Sequence, residues 1–166
     1  MRRGLIGWIV GGIGLLIALP IIGLAISART TSRPQGLGVV NGRLAPCPDS
    51  PNCVSTQATD AAHSMPPIRY SMPTAQAKAL LLTIIGAMPR VTIEQDTPTY
   101  LAAVFRSATF QFPDDVEFSF DESAGVIDFR SAARLGREDM GVNRARMAQI
   151  SQDFATHAAT TGSVAN

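Results

Sequence analysis

The chain contains few of the side chains that most catalytic and metal sites use. Its 166 residues include two histidines, two cysteines and a single lysine, Lys78. A structural zinc site takes four protein ligands, whereas Cys47, Cys53 and His63 supply three at most, and the five residues between the cysteines exceed the usual short spacing. The sequence therefore predicts no metal site and no cofactor.

The chain also lacks a strong net charge. Its 14 basic and 13 acidic residues give a formal charge of +1, and leaving out Arg2 and Arg3 gives 12 basic against 13 acidic residues. Proteins that bind nucleic acid or an anionic membrane surface electrostatically carry a clear basic patch or excess. We therefore expect no nucleic-acid partner.

Charge is completely absent from residues 4–26, GLIGWIVGGIGLLIALPIIGLAI. This run of 23 residues matches the roughly 20 apolar residues that cross a bilayer core. Because Arg2 and Arg3 precede the run, the positive-inside rule keeps the N-terminus in the cytoplasm. The sequence thus predicts a single-pass protein of the inner (cytoplasmic) membrane, with its later residues in the periplasm or extracytoplasmic space. A cleaved signal peptide is the alternative, since residues 25–28 resemble a small-residue cleavage site.

Composition divides the chain into four parts. Residues 1–27 form the predicted anchor or signal peptide, and residues 28–43 form a polar linker punctuated by proline and glycine. Residues 44–158 carry the patterns of a folded domain, and residues 159–166 are predicted to be a disordered tail. A folded part of this length agrees with the usual size of one hydrophobic core.

The folded part is predicted to contain two helices and four strands. The helices show apolar residues at a spacing of three and four, and the strands are short runs of strand-forming residues. The predicted helices span residues 74–88 and 141–159, and the predicted strands span residues 91–96, 100–106, 115–121 and 126–132. This order predicts an α+β fold in which a four-stranded antiparallel sheet has both helices packed on one face, preceded by the N-terminal transmembrane helix.

The last two strands form a hairpin whose register follows from side-chain alternation. With the turn at residues 123–124, Phe118 faces Phe129 and Glu117 faces Arg130. The aromatic side chains then share one face of the sheet and the ion pair lies on the other, as a half-buried antiparallel sheet requires.

Three segments carry a resemblance to a known family. CPDSPNCVSTQA, FPDDVEFSFD and FRSAARLGREDMGVNRARM follow one another in this chain. In this order they resemble the domain-of-unknown-function family numbered 1499, which is found in bacteria and plastids, and the likeness covers about residues 44–150. The chain has Thr56 and Ala133 where serine is usual in the family. The resemblance implies domain limits and brings no established activity, substrate or cofactor.

The two cysteines have three possible roles. Cys47 and Cys53 could form a disulfide, contribute to a metal site or act as a catalytic pair. The predicted compartment is oxidising, which favours the disulfide. Closing a loop of seven residues would stabilise the fold by about 2.4 kcal/mol through chain entropy. A catalytic pair would need a neighbouring base, for which His63 and His157 are the only histidines.

A second group of candidate site residues is charged or polar and lies on the last strands and the last helix. Its members are Arg106, Asp114, Asp115, Glu117, Arg130, Arg134, Asp139, Asn143 and Arg144. They could form a structural ion network, in which Glu117 pairs with Arg130 and the two aspartates pair with Arg134 or Arg144. They could instead form an anion site at the start of a helix. Asp114 and Asp115 could also serve as metal ligands or as an acid and a base, provided that they lie in a turn.

The sequence favours a binding function over catalysis. We expect a membrane-anchored extracytoplasmic domain that acts as a binding or envelope-associated interaction module. Its expected partners are the membrane, contacted through residues 4–26, and an envelope protein or an anionic small molecule. The alternative is an enzyme that acts on a phosphorylated or carboxylated substrate through an arginine-rich pocket.

Overall fold

The computed structural model describes residues 2–163, with side chains described for residues 15, 16 and 18–160. In chain order the elements are α1 (Arg2–Thr30), β1 (Cys53–Ser55), β2 (Ile68–Arg69), α2 (Thr74–Gly86), β3 (Val91–Thr97), β4 (Tyr100–Arg106), β5 (Pro113–Asp121), β6 (Val126–Ala133) and α3 (Val142–Ser163). The strands pair antiparallel into one sheet, so the predicted α+β class is confirmed.

The sheet has six strands, and the prediction of four was wrong. The strand order is β1-β6-β5-β4-β3, and β2 also pairs with β6. The two strands that sequence reasoning missed contain three and two residues. Segments of this length are too short to show the alternation from which a strand is recognised. Both cover the edge of β6 that β5 leaves open.

The β5–β6 hairpin has the predicted register. Glu117 lies opposite Arg130, and Phe118 lies opposite Phe129. The turn ends at Gly125, whose φ is +63°, and a Cβ there would come within 2.9 Å of the Tyr70 carbonyl oxygen. Only glycine fits this close approach without displacing a neighbouring backbone atom.

One face of the sheet packs against α2 and α3 and forms the hydrophobic core. Phe118 and Phe129 from the sheet and Leu81 and Phe154 from the helices are fully buried there. Burying each such side chain contributes about 1.5–3 kcal/mol. The core therefore fixes which residues of each strand face the helices and which face away.

The ends of both helices differ from the predicted ones, and α3 begins at Val142, one residue after its predicted start. Helix α2 ends at Gly86, two residues before the predicted end, because Pro89 disfavours a helical conformation in the residue before it. Helix α3 continues to Ser163, so residues 159–163 of the predicted tail are helical. The remainder of that tail, residues 164–166, lies outside the described residues.

Residues 31–45 cross the sheet face opposite the helices, and we call this segment the strap. Residues 31–43 of the strap belong to the predicted linker, and residues 44–45 follow it. Leu44 of the strap is buried against Tyr100 and Ala102 of β4. The Leu44 amide also donates to Gln57 Oε1 at 2.8 Å. The segment is therefore part of the folded domain in the structure.

The strap leads into a loop that the predicted disulfide closes. Cys47 and Cys53 are bonded, with their Cα atoms 5.7 Å apart. This bond joins the loop to β1, which begins at Cys53. The prediction of a disulfide is confirmed.

The predicted transmembrane segment, residues 4–26, belongs to α1. Most of its side chains, those of residues 4–14 and 17, lie outside the described ones. Across the described residues, no helix is long and apolar enough to cross a membrane.

Candidate functional site

The alternation of β5 sends its charged side chains to opposite faces of the sheet. Asp114 shares the helix side with the buried Val116 and Phe118, whereas Asp115 and Glu117 face the strap. Asp114 and Asp115 lie on the strand and not in a turn. The two aspartates therefore do not meet at one site. A metal site or an acid–base pair built from both residues would need their carboxylates to lie together.

Asp115 forms a bidentate ion pair with Arg134 on the strap face. Arg134 Nη2 donates to Asp115 Oδ1 at 2.7 Å, and Arg134 Nε donates to Asp115 Oδ2 at 2.8 Å. The hydrogen bonds to Asp115 raise the pKa of Arg134. Arg134 Nη1 also donates to the Thr31 carbonyl oxygen at 3.2 Å, which fastens the start of the strap to the sheet.

Asp114 pairs with Arg146 of α3, and not with Arg134 or Arg144 as expected. Arg146 Nη2 donates to Asp114 Oδ2 at 2.6 Å. The Arg146 guanidinium carbon also lies 4.8 Å from the centre of the Phe105 ring, a cation–π contact. Burial raises the pKa of Asp114, and Arg146 opposes this shift.

Asn143 and Asp139 hold the beginning of α3 against the disulfide loop. Asp139 Oδ2 accepts from the Asn143 amide at 2.8 Å, as a helix-capping side chain does. Asn143 Nδ2 donates to the Asn52 carbonyl oxygen at 3.1 Å, and Asn52 Nδ2 donates to the Gly136 carbonyl oxygen at 2.6 Å. Sequence reasoning missed Asn52, although it lies in the CPDSPNC segment.

Two further predicted arginines, Arg144 and Arg106, bind carbonyl oxygens. Arg144 donates to the carbonyl oxygens of Ser64 and Ala62, at 3.0 and 2.5 Å, and Arg106 donates to that of Gln111 at 3.2 Å. Arg106, Arg134 and Arg144 therefore bind separate parts of the fold. The hypothesis of an arginine-rich anion site instead requires arginines that converge on one cleft.

Glu117 and Arg130 form the buried charged pair at the centre of the strap face. Glu117 is 0 % exposed and Arg130 is 8 % exposed. Glu117 Oε1 accepts from the Gly38 amide at 2.6 Å and from the Tyr100 hydroxyl at 2.7 Å. The second oxygen, Oε2, lies 3.8 Å from Arg130 Nη1, which is beyond hydrogen-bond distance.

Two atoms of this pair have no hydrogen-bond partner among the described residues. They are Glu117 Oε2 and Arg130 Nε, and both are buried. Burial lowers the pKa of Arg130, while the nearby Glu117 carboxylate opposes this shift. Burial and the hydrogen bond to Glu117 raise the pKa of Tyr100. The electrostatic cost of the pair is thus only partly offset by its surroundings.

A cavity of about 620 Å³ lies between the strap and the loop after β1, and we call it the strap cavity. Its wall includes Gly38, which donates to Glu117, and Ser55, which pairs with Arg130 across β1 and β6. The Glu117–Arg130 pair therefore lies directly behind the cavity wall. Sequence reasoning could not place Gly38 here, because a backbone amide leaves no signal in the residue pattern.

A family model describing a protein of unknown function, DUF1499, matches residues 43–154, about two thirds of the chain. The chain belongs to the DUF1499 family. The match confirms the resemblance of the three segments described above. No curated protein and no solved structure matches this DUF1499 protein.

The DUF1499 match covers only part of the strap cavity. The wall residues from Arg43 to Asp60 lie inside the matched region, as does the Glu117–Arg130 pair behind the wall, whereas Gly36, Gly38 and Val40 precede it. Within the part of this DUF1499 protein that the structure describes, no group of three or more histidine, cysteine, aspartate or glutamate side chains is arranged to hold a metal ion.

Proposed function

We propose that this DUF1499 protein is tethered to the cytoplasmic membrane by residues 4–26 and binds a small polar molecule in the strap cavity, on the extracytoplasmic side. The observation that carries the binding proposal is the buried Glu117–Arg130 pair, because two of its polar atoms lack a partner in the described structure.

The energetic cost of this pair supports a binding role. A buried polar atom without a hydrogen bond costs about 1–3 kcal/mol, and folded proteins contain few of them. Apolar side chains of similar volume often replace a buried ion pair with no loss of stability. Glu117 and Arg130 are therefore poorly explained by a purely structural role. Proteins commonly keep a destabilising side chain where their function requires it.

The size and composition of the strap cavity also support binding. Ligand sites typically measure about 300–1,000 Å³ and combine an apolar lining with a few polar groups. The strap cavity has a volume of about 620 Å³, and its wall includes Leu44 and Pro46 beside Ser55, Gln57 and Asp60. A small polar molecule fits a cavity of this size.

The proposed location rests on the sequence and on the disulfide. Residues 4–26 carry no charge, and Arg2 and Arg3 precede them. The Cys47–Cys53 bond is typical of proteins outside the cytoplasm, where thiols are oxidised. An enzyme with an arginine-rich pocket has less support, because Arg134 and Arg146 are each engaged by an aspartate.

The binding proposal is tested by filling the cavity without changing the charged pair. Ala58 lies in the cavity wall, so Ala58→Trp would occupy the space of the ligand. Ala148 is exposed on α3 and outside that wall, so Ala148→Trp is the matched control. We expect a small molecule to be extracted from the purified wild type and from Ala148→Trp, but not from Ala58→Trp. Identical extracts from all three proteins would contradict the proposal.

A further inference from the structure

We infer that the ligand of the strap cavity carries no net charge and binds through hydroxyl groups, as a saccharide or another polyol does. This inference rests on the proposed function and names the ligand class for the same site. It follows from the two atoms without partners, from the charge balance around the cavity and from the kinds of groups in its wall.

The two unpartnered atoms call for opposite hydrogen-bonding groups. Glu117 Oε2 is an acceptor and requires a donor, whereas Arg130 Nε carries a hydrogen and requires an acceptor. A hydroxyl group provides both through one oxygen atom. Glu117 Oε2 lies 3.8 Å from Nη1 of the same Arg130 guanidinium, which is too far for a direct hydrogen bond between the two side chains.

The charges around the site balance. The Glu117 carboxylate lies opposite the Arg130 guanidinium, and the cavity wall contains one cationic residue, Arg43, and one anionic residue, Asp60. A phosphate or carboxylate bound to Arg130 would also face Glu117, and this like-charge contact would weaken its binding. A cation would face Arg130 in the same way. A neutral molecule avoids both penalties.

Uncharged polar groups in the wall complete the argument. Ser55 and Thr59 line the cavity and carry hydroxyl groups, whereas the Gln57 side-chain amide in the same wall is bonded to Leu44 and Asp128. Strap residues Gly36 and Gly38 line it too, and both have positive φ values, of +80° and +119°. These glycines leave open space where side chains would project, so ligand hydroxyls can approach the backbone of the strap.

The ligand reaches the pair where Gly38 and Ser55 separate it from the cavity. The Gly38 amide contributes one of the two hydrogen bonds to Glu117 Oε1, and the Tyr100 hydroxyl contributes the other. Binding in this way requires the strap to move at Gly38, and the hydrogen bond from Tyr100 would still hold the carboxylate in place. Glu117 Oε2 and Arg130 Nε then become available to a hydroxyl group of the ligand.

Isothermal titration calorimetry on the purified full-length protein, in a detergent without a sugar headgroup, tests the ligand class. Glucose and glycerol are the neutral probes, and inorganic phosphate and acetate are the anionic probes. We expect glucose to bind at least tenfold more tightly than phosphate. We also expect the double variant Glu117→Gln/Arg130→Met to weaken glucose binding at least tenfold.

Two further variants protect this result against a folding artefact. Lys78 and Asp96 form an ion pair on α2 and β3, outside the cavity wall, so Lys78→Met/Asp96→Asn is the matched control and should bind glucose as the wild type does. Arg130→Lys keeps the positive charge but loses the Nε hydrogen. It should weaken glucose binding several-fold in a protein that retains its unfolding midpoint.

The outcomes separate this inference from the proposed function. Tighter binding of phosphate or acetate that the double variant abolishes would overturn the hydroxyl class and leave the binding role standing. Glucose binding that is unchanged in the double variant would overturn the inference, because the pair would then take no part. If no probe binds, the hydroxyl class is also overturned, and the extraction from Ala58→Trp decides the binding role separately.

Discussion

The backbone amide of Gly38 donates a hydrogen bond of 2.6 Å to Glu117 Oε1, although the two residues are 79 positions apart in the chain. This bond joins the strap to the centre of the sheet and brings the strap cavity next to a buried charged pair.

The Glu117–Arg130 pair is predicted to contribute little net stability. Arg130→Met alone leaves the Glu117 carboxylate buried without a counter-charge, so we expect it to lower the free energy of unfolding by about 3–5 kcal/mol. Glu117→Gln/Arg130→Met removes both charges and should recover most of that loss. Urea denaturation of the single and double variants measures both values. A double variant less stable than Arg130→Met would show that the pair is structural.

The strap is predicted to be held mainly by the Asp115–Arg134 pair. Asp115→Asn/Arg134→Met removes the pair without leaving a buried charge, and it also removes the bond to the Thr31 carbonyl oxygen. We expect the amides of the strap to exchange with deuterium about tenfold faster, which corresponds to roughly 1.4 kcal/mol. Hydrogen exchange followed by mass spectrometry measures this change.

The control for the strap experiment is Arg106→Met, since Arg106 also lies on the sheet but donates to Gln111 in a loop. It should leave exchange in the strap unchanged. Equal protection of the strap in the wild type and in Asp115→Asn/Arg134→Met would mean that other contacts hold this segment.

The pKa of Asp114 makes stability depend on pH in a predictable direction. Because burial raises the pKa of this carboxyl above 3.8, the folded state binds its proton more tightly than the unfolded state does. This contribution to stability is complete below pH 3.8 and is lost as the pH rises through the pKa of the folded state. Asp114→Asn cannot lose a proton there.

Thermal unfolding at a series of pH values tests this behaviour. The wild type should lose stability relative to Asp114→Asn as the pH rises from below 3.8. Asp121 provides the matched control, since its carboxyl is exposed and its pKa is lowered by hydrogen bonds from Ser123 and Ala124. For Asp121→Asn the dependence should run in the opposite direction. A difference in unfolding temperature between the wild type and Asp114→Asn that stays constant with pH would contradict the prediction.

Residues 4–26 are predicted to anchor the protein in the membrane. Leu15 and Leu16 lie in the middle of this run and are exposed on α1. Leu15→Arg/Leu16→Arg would place two charges near the bilayer centre, at a cost of at least about 2.5 kcal/mol each. We expect this variant to move from carbonate-washed membranes to the soluble fraction. Gln35→Arg, on the exposed part of the strap, should stay with the membrane, and retention of both variants would refute the anchor.

The sequence predicted those parts of the fold in which local pattern and tertiary structure agree. Strands β5 and β6 alternate apolar and polar residues, so the placement of Phe118 opposite Phe129 followed from the residues alone. Strands β1 and β2 have no such pattern, because their few residues are fixed by pairing with a distant strand.

The candidate site was less predictable, since it depends on contacts between distant segments. The alternation of β5 placed Glu117 opposite Arg130, but the Gly38 amide and the strap cavity have no counterpart in the sequence pattern. Similarly, Arg144 and Arg146 are both near the start of α3, and only the packing of the helix decides which one reaches Asp114.

A high-resolution crystal structure of the protein purified from its native membrane, with no ligand added, tests the central claim most directly. We predict continuous electron density in the strap cavity that belongs to a molecule larger than water and reaches hydrogen-bond distance of Glu117 Oε2 and Arg130. Density for separate water molecules alone, with one water bridging these two side chains, would contradict the claim that the pair serves ligand binding.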